Sequence, residues 1–367
     1  MPFLIRQVLI YAVPLMLVAL AGVFAERSGI INLALEGIMI FGAFMGVLFV
    51  HTVQDLGWFQ NAYDTVESAL TQSRADIKNL VAPEFGGDAV RALFSLQGFG
   101  LLAMLFAALS GAVFALLLAF AAINLKADQT IGGTALNLMA PAIVLFFIRI
   151  IANQNTLNIN GEAANWFMLK KTMFGYPKNG EMSFLGATFV DKVYVATYIC
   201  VLIFIFMSII LYKTRFGLRL RSCGENPQAS ASLGISVVRM RYAGTIISGA
   251  LAGMGGFVYA LTTANCASTG EVAGFGFLAL AVMIFGNWKP LNISGAALLF
   301  GLFKCVAASY DTLDIDGDGI YQLKNLGIST SFYRILPYMI TLIVLAFTSK
   351  SSRAPKAEGI PYDPGKR

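Results

Sequence analysis

Residues 98–123 read GFGLLAMLFAALSGAVFALLLAFAAI, a run that contains no charged side chain. An α-helix rises about 1.5 Å per residue, so about 20 apolar residues cross a hydrocarbon core of about 30 Å. Similar runs recur along the chain. In lipid only helices and closed barrels satisfy the backbone, and barrel strands would alternate apolar and polar residues. The sequence therefore predicts an all-α polytopic membrane protein.

Composition supports this fold class. Of the 367 residues, 57% are hydrophobic and 13% are charged, against about 45–50% and about 25% in soluble domains. The net charge of +6 collects in loops beside the apolar runs, so we do not expect a nucleic-acid partner. About nine transmembrane helices are predicted, at residues 3–25, 30–51, 98–123, 131–152, 193–213, 242–264, 272–286, 291–309 and 332–348. The seventh is short and glycine-rich, which indicates a broken or re-entrant helix.

Loop charge predicts the orientation, because Lys and Arg favour the cytoplasmic side. Residues 213–241 carry six basic side chains against Glu225, and residues 351–367 are also basic. Residues 52–97 and 310–331 are acidic. Nine spans fit this alternation with the N-terminus outside, and a re-entrant first pair with the N-terminus inside is the alternative.

The same reasoning predicts the domain layout. Residues 1–350 form the transmembrane domain, with outer loops at 52–97, 153–192 and 310–331, and residues 351–367 form a cytoplasmic tail. The two larger outer loops hold enough polar sequence to form small caps over the outer mouth.

Few residues suit catalysis. His51 is the single histidine, and the four cysteines are scattered without a CxxC pair, which favours small apolar filler over a metal or redox site. No GxxxxGK[ST] phosphate loop occurs, so ATP hydrolysis by that chemistry belongs to another chain. We therefore expect a transport subunit without a cofactor. The cysteines are Cys200, Cys223, Cys266 and Cys305.

Polar residues interrupt the first two apolar runs at residues 26–44, ERSGIINLALEGIMIFGAF. Charged groups inside a membrane usually face a cavity or a partner. Asn32 and Glu36 are four residues apart and share one helix face. Two interpretations remain open for Glu26, Arg27, Asn32 and Glu36: a polar wall of a translocation path, or a Glu–Arg pair and an Asn cap that hold a helix break together.

A second polar insertion opens the fourth span at residues 126–141, KADQTIGGTALNLMAP. Asp128 or Thr130 is a candidate helix cap. Asn137 lies inside the span and needs a partner there. It is either a hydrogen-bonding contact between helices or a residue of the path.

The basic stretch 215–241, RFGLRLRSCGENPQASASLGISVVRMR, contains a helix signal. Asn226 and Pro227 are an N-cap followed by proline at the first helical position, and Gly234 is a typical helix end. Ser236 is a candidate cap for the next helix. The stretch predicts a two-turn helix at the cytoplasmic surface, which fits a groove on a partner. The alternative is a solvated basic loop beside anionic lipid.

Two further motifs concern packing and metal binding. Gly249 and Gly253 have GxxxG spacing, which is typical of closely packed membrane helices. Residues 314–325, DIDGDGIYQLKN, place Asp314, Asp316 and Asp318 like the first ligands of a calcium loop, but the twelfth position is Asn rather than Glu. A polar outer turn is favoured over a weak calcium site.

Four segments in order along residues 20–305 are similar to one known family. They are ERSGIINLALEG, ADQTIGGTALNL, TRFGLRLRSCGENPQASASLGISVVRMR and GFGFLALAVMIFGNWKPLNISGAALLFG. They resemble the permease subunits of bacterial ABC importers for branched-chain amino acids, ribose and nucleosides. The patterns ERxGxINLxxEG and GENPxAxxxxGI look most like the nucleoside, basic-membrane-protein-linked branch. The longer outer loops and the aspartate-rich turn depart from the family pattern.

The resemblance implies a multi-pass protein of the bacterial cytoplasmic (inner) membrane. It implies three partners: a second related permease, a tandem ATPase, and a lipid-anchored or periplasmic binding protein that delivers nucleoside. In such permeases the loop with GENP contacts the ATPase. Residues 225–234, here called the coupling segment, would carry that contact through Glu225, Asn226, Pro227, Ala229, Leu233 and Gly234.

A path for a neutral nucleoside should offer aromatic faces and amides rather than fixed charge. The candidates on this criterion are Asn32, Asn137, Phe275 and Phe277, and Glu36 joins them from the polar stretch 26–44. Purine nucleosides are favoured as cargo, and a simple sugar or a branched-chain amino acid is the alternative within the family. A secondary transporter would be expected to show inverted repeats and midplane ionisable residues, and an enzyme a convergent catalytic set; the sequence offers neither convincingly.

Overall fold

The computed structural model describes residues 2–78, 87–159, 167–171, 183–310, 329–348, 353–363 and 365. The aspartate-rich motif 314–325, with Asp314, Asp316 and Asp318, lies outside these residues. The described helices are α1 (Pro2–Glu26), α2 (Leu35–Val53), α3 (Gly57–Lys78), α4 (Gly87–Ile123), α5 (Gln129–Ala152), α6 (Phe184–Phe189), α7 (Val195–Lys213), α8 (Arg215–Glu225), α9 (Pro227–Ser232), α10 (Val237–Thr262), α11 (Phe275–Phe285), α12 (Pro290–Ser309) and α13 (Thr330–Thr348). Four two-residue strands accompany them: β1 (Leu157–Asn158), β2 (Met168–Leu169), β3 (Val193–Tyr194) and β4 (Ala267–Ser268).

The helices confirm the predicted fold class. Each of the nine predicted spans is occupied by a helix. Among the described residues, seven helices are long and apolar enough to cross a membrane: α1, α2, α4, α5, α7, α10 and α12. The seventh predicted span holds only the short helix α11, so the glycine-rich sequence does indicate a broken helix.

Contacts at the two ends of α1 separate two faces of the protein. At its start, Arg6 donates to the carbonyl of Asp191 at 3.0 Å, within the predicted outer loop 153–192. At its end, Arg27 pairs with Glu225, which closes α8. The 25-residue helix is about 36 Å long. This length favours a crossing first helix over a re-entrant first pair.

The predicted outer loops contain secondary structure of their own. In loop 52–97, α3 packs against the start of α4, where the rings of Phe59 and Phe99 lie 5.3 Å apart between centroids. Strand β1 pairs antiparallel with β4, and β2 pairs with β3. The β1–β4 pair joins the segment after α5 to the segment after α10 on this face of the protein.

Helix α10 lies at the centre and packs against α4, α2 and α1. At Gly253 the backbones approach closely, because a Cβ there would press on the carbonyl of Ala107 and lie 3.0 Å from Cα of Gly111. Gly249 faces the same helix, against Ala115 and the carbonyl of Gly111. The predicted GxxxG contact is therefore confirmed, and α4 supplies its other half.

We expect Gly253→Ala to lower the free energy of unfolding by about 1–3 kcal/mol, because the backbones of α4 and α10 cannot separate without loss of packing. Gly295→Ala in α12 is the matched control, since no atom lies within 4 Å of a Cβ at that position. Thermal unfolding of the two variants in detergent measures the difference. Equal midpoints would contradict the close packing at Gly253.

Candidate functional site

The first candidate region is the start of the broken helix α11. Between α10 and α11 the chain contains no helix, and its only regular element is the two-residue strand β4. Gly274, just before α11, has a left-handed conformation with φ +73°. The first amides of a helix have no partner within it and attract negative charge. A group from elsewhere must therefore satisfy the start of α11.

Glu36 of α2 supplies that group. Its carboxylate accepts hydrogen bonds from the amides of Gly274 at 2.9 Å, Gly276 at 2.6 Å and Phe277 at 3.3 Å. The side chain is almost fully buried, at 9% exposure. Gly276 is required because a Cβ would lie 2.8 Å from Glu36 Oε2. Glu36 thus binds the start of α11 to the start of α2.

Aromatic residues and one lysine surround this junction. The Phe275 ring is buried and lies 4.7 Å from the ring of Tyr259. Lys304 donates to the carbonyl of Ala273 at 3.2 Å, and its amino group is 5.0 Å from the Phe275 ring centroid and 5.2 Å from that of Tyr338. Such distances permit cation–π attraction.

Two of the predicted path residues differ sharply in accessibility although both lie on α11. Phe275 is 1% exposed and Phe277 is 53% exposed. Tyr338 of α13 is also accessible, at 43%. The rings of Phe277 and Tyr338 are therefore accessible, whereas the ring of Phe275 is enclosed.

The predicted path residues Asn32 and Asn137 hold neighbouring segments together. Asn32 donates to the Ser248 hydroxyl at 2.9 Å and accepts from the Ala34 amide at 3.1 Å. Asn137 accepts from the amide of Gly37 at 2.8 Å and donates to the carbonyl of Leu33 at 2.7 Å. Asn137 of α5 therefore makes the predicted hydrogen-bonding contact to a neighbouring helix. That the side chains of Asn32 and Asn137 also line the path stays a prediction.

Arg27 forms a Glu–Arg pair at the break after α1, but its partner is the distant Glu225 and not its neighbour Glu26. Glu26 is buried and accepts from the indole nitrogen of Trp288 at 2.5 Å, whereas Arg27 pairs with Glu225 at 3.2 Å. Each of these two adjacent residues thus makes its bond to a partner that is distant in the sequence. Glu26 thereby contacts the turn after α11, and Arg27 contacts the end of α8.

The second candidate region is the surface formed by α8 and α9. The Asn226 side chain accepts from the Ala229 amide at 3.0 Å, and Pro227 occupies the first turn of α9. Gly234 has φ +78°, and its amide donates to the carbonyl of Ala231 at 2.9 Å. The predicted two-turn helix and its glycine end are confirmed.

The structure corrects or completes the sequence predictions for helix ends and helices in three details. Ser236 stands at the N-cap of α10 but makes no side-chain capping bond, so this part of the prediction is wrong. Asp128 rather than Thr130 caps α5, accepting from the Thr130 amide at 2.8 Å. Residues 215–225 form a separate helix, α8, which the sequence analysis did not predict.

The α8–α9 surface presents an apolar contact and charge to solvent. Leu233 is 81% exposed and lies outside the predicted spans. Glu225, at the end of α8, borders a cavity of about 700 Å³. The cavity is otherwise mainly basic, and it is lined by Arg27, Glu225, Asn287, Lys289, Arg353, Ala354 and Lys356.

The family profile described as branched-chain amino acid transport system / permease component matches residues 4–345. The chain belongs to this permease family. It is a multi-pass membrane protein and a transport component. No solved structure matches the permease.

Relatives of the permease cover almost its whole length. It is 36% identical to the nucleoside ABC transporter permease protein NupC of Lactococcus lactis subsp. cremoris (strain MG1363), over 98% of this chain and 96% of that one. It is 36% identical to the guanosine ABC transporter permease protein NupQ of Bacillus subtilis (strain 168), over 99% and 97%. NupB, a second nucleoside permease of the Lactococcus strain, is 32% identical over 44% of each chain.

Sequence reasoning missed Lys304 and Tyr338 of this permease. Lys304 is a charged residue within a predicted span, and such residues are functional candidates by default. That signal was present but unused. Tyr338 gave no comparable signal, because a tyrosine in an apolar helix is common, and its approach to Ala273 depends on how α13 packs beside α11 and α12.

Proposed function

We propose that this permease is the membrane-spanning subunit of an ATP-driven importer of nucleosides, with purine nucleosides favoured. The observation that carries the proposal is the near full-length similarity to permeases named for nucleoside and guanosine transport in two organisms. The accessible rings of Phe277 and Tyr338 support it, since bases stack on aromatic side chains with about 1–3 kcal/mol each.

The proposed partners are a second related permease, an ABC ATPase and a substrate-binding lipoprotein. The chain is similar to both NupC and NupB of a single Lactococcus strain. That double similarity supports an importer in which two related permeases pair. The ATPase is needed because the sequence has no phosphate loop of its own.

The proposed ATPase contact is the coupling segment. Asn226 caps α9 by accepting from the Ala229 amide, Pro227 begins the helix, and the left-handed Gly234 follows its end. Glu225 and Leu233 remain accessible. A short helix with capped ends moves as a rigid unit, so it transmits a displacement better than a flexible loop. Closure of the ATPase would shift α8 and α9, and through Arg27 the break between α1 and α2, so that access alternates across the membrane.

The proposed path passes the junction of α2 and α11. Phe277 offers an accessible face, whereas Phe275, Glu36, Asn32 and Asn137 shape the junction from behind. In this proposal Glu36 acts by placing α11, because its carboxylate is occupied by backbone amides.

The proposed membrane layout follows the predicted domains, with residues 1–350 as the permease domain, loop 213–241 inside and residues 351–367 as an inner tail. Contacts support it, since Arg27, Glu225 and residues 353–363 lie together at one face. The N-terminus and the β1–β4 pair are then outside.

Competition of labelled guanosine uptake tests the cargo. Cells that express the permease with its partners should take up guanosine, and excess adenosine should compete because both carry a purine base. Excess ribose and leucine are the controls and should leave uptake unchanged. Inhibition by a sugar or amino acid with nucleosides inert would overturn the nucleoside assignment and favour another cargo of the same family.

A further inference from the structure

The tail segment, residues 353–363, binds back onto the cytoplasmic ends of several helices. Its backbone contacts the coupling helices directly: the Ala357 amide donates to the carbonyl of Gly224 in α8 at 2.8 Å. Gln228 of α9 donates to the carbonyl of Asp363 at 2.9 Å. The tail is therefore attached to both α8 and α9.

The same segment is attached to the transmembrane part. The Gly359 amide donates to the carbonyl of Gly29, in the break between α1 and α2, at 3.3 Å. Arg241 of α10 is 1% exposed and donates to the carbonyl of Ile360 at 2.9 Å. The Arg353 amide donates to the side chain of Asn287, after α11, at 2.9 Å.

Packing agrees with these bonds. Ala357 is 7% exposed, and Pro355 is buried. Burial raises the pKa of the Glu358 carboxyl to about 7, although the charge of Arg27 acts in the opposite direction. This burial of Pro355 and Ala357, and the raised pKa of Glu358, are typical of an ordered segment and not of a solvated one.

We propose that the tail segment is a positioning part of the coupling machinery: it holds α8 and α9 at a fixed place relative to the α1–α2 break and to α11. This inference rests on the proposed ATPase coupling. The tail contacts both the coupling segment, at Gln228, and Gly29, and Glu36 lies at the start of α2, beyond the break. Movement of α8 therefore reaches the α11 junction through the tail as well as through the Arg27–Glu225 pair.

Gly359 offers a precise way to displace the tail. Its φ of +74° is left-handed; a Cβ of any residue would lie 2.7 Å from the end of the Ile31 side chain, which is flexible and can move aside. Valine is strongly disfavoured in this conformation, whereas asparagine tolerates it. Gly359→Val is therefore the disrupting variant, Gly359→Asn the conservative variant, and Pro361→Ala, at an exposed position, the control.

The experiment uses the complete importer, purified through this chain and reconstituted in vesicles. We expect Gly359→Val to reduce nucleoside transported per ATP hydrolysed by roughly tenfold, while ATP hydrolysis per complex continues. Gly359→Asn and Pro361→Ala should stay near the wild-type ratio. If transport and hydrolysis fall together at a constant ratio, the tail only stabilises the fold and the proposal is wrong.

A second readout does not depend on transport. Cys223 of α8 is fully buried and precedes Gly224, to which the tail binds. Maleimide labelling of Cys223, located by mass spectrometry, should be roughly tenfold faster in Gly359→Val and in a chain that ends at residue 352. Unchanged labelling in both would overturn the proposal. A failure of the nucleoside assignment alone would appear as absent uptake by the wild type, with the labelling difference intact.

Discussion

Replacing Leu233 with aspartate is expected to reduce nucleoside uptake to background while the amount of protein in the membrane stays the same. Leu233 is 81% exposed in the isolated chain, so its replacement removes little packing within the fold. If Leu233 enters a groove of the ATPase, the aspartate that replaces it would be buried there without water. Loss of such an interface contact costs about 2 kcal/mol or more of binding free energy. Uptake and co-purification of the ATPase measure the effect.

Leu125→Asp is the matched control for Leu233→Asp. Leu125 lies between α4 and α5 at the same face and is 65% exposed, but it is outside the coupling segment. It should retain uptake. A stronger version replaces residues 225–234 with a Gly/Ser linker, which removes the Asn226 cap and the helix together. Uptake that survives this replacement would refute the coupling assignment.

Replacing Glu36 with alanine is expected to lower the free energy of unfolding by roughly 3–5 kcal/mol, because the amides of Gly274, Gly276 and Phe277 lose a charged acceptor in a buried place. The start of α11 would separate from α2, and uptake should fall with it. Thermal unfolding in detergent and uptake per chain in membranes measure the two effects.

Glu36→Gln separates the loss of the negative charge from the loss of the hydrogen-bond acceptor. Its single carbonyl oxygen can still accept, so we expect an intermediate loss. Glu271→Ala is the control, since Glu271 is an exposed glutamate in the segment that precedes α11, and it should behave like the wild type. Equal stability of Glu36→Ala and the wild type would contradict the role of Glu36 as the cap of α11.

The sequence predicted elements whose causes are local. Apolar runs set the spans, and Asn226, Pro227 and Gly234 define α9 through capping rules that involve only neighbouring residues. Helix α8 was missed because its pattern of basic and apolar residues also describes a loop beside anionic lipid. Its order depends on distant partners such as Arg27 and the tail segment.

The candidate site was predictable only in part, for the same reason. A buried glutamate at position 36 had to have a partner, but the sequence could not place that partner more than 230 residues away, at Gly274 and Gly276. Likewise, the carbonyl groups of the tail carry no side-chain signal. Their partners Gln228 and Arg241 look like ordinary residues of a basic loop.

Helix α11 is restrained at both ends by one short stretch of chain. Glu36 binds its first amides, and Glu26, only ten residues earlier, binds Trp288 just beyond its end. While these bonds persist, neither end of α11 can move away from the break between α1 and α2, so a displacement of that break carries the whole helix, and the exposed ring of Phe277, with it.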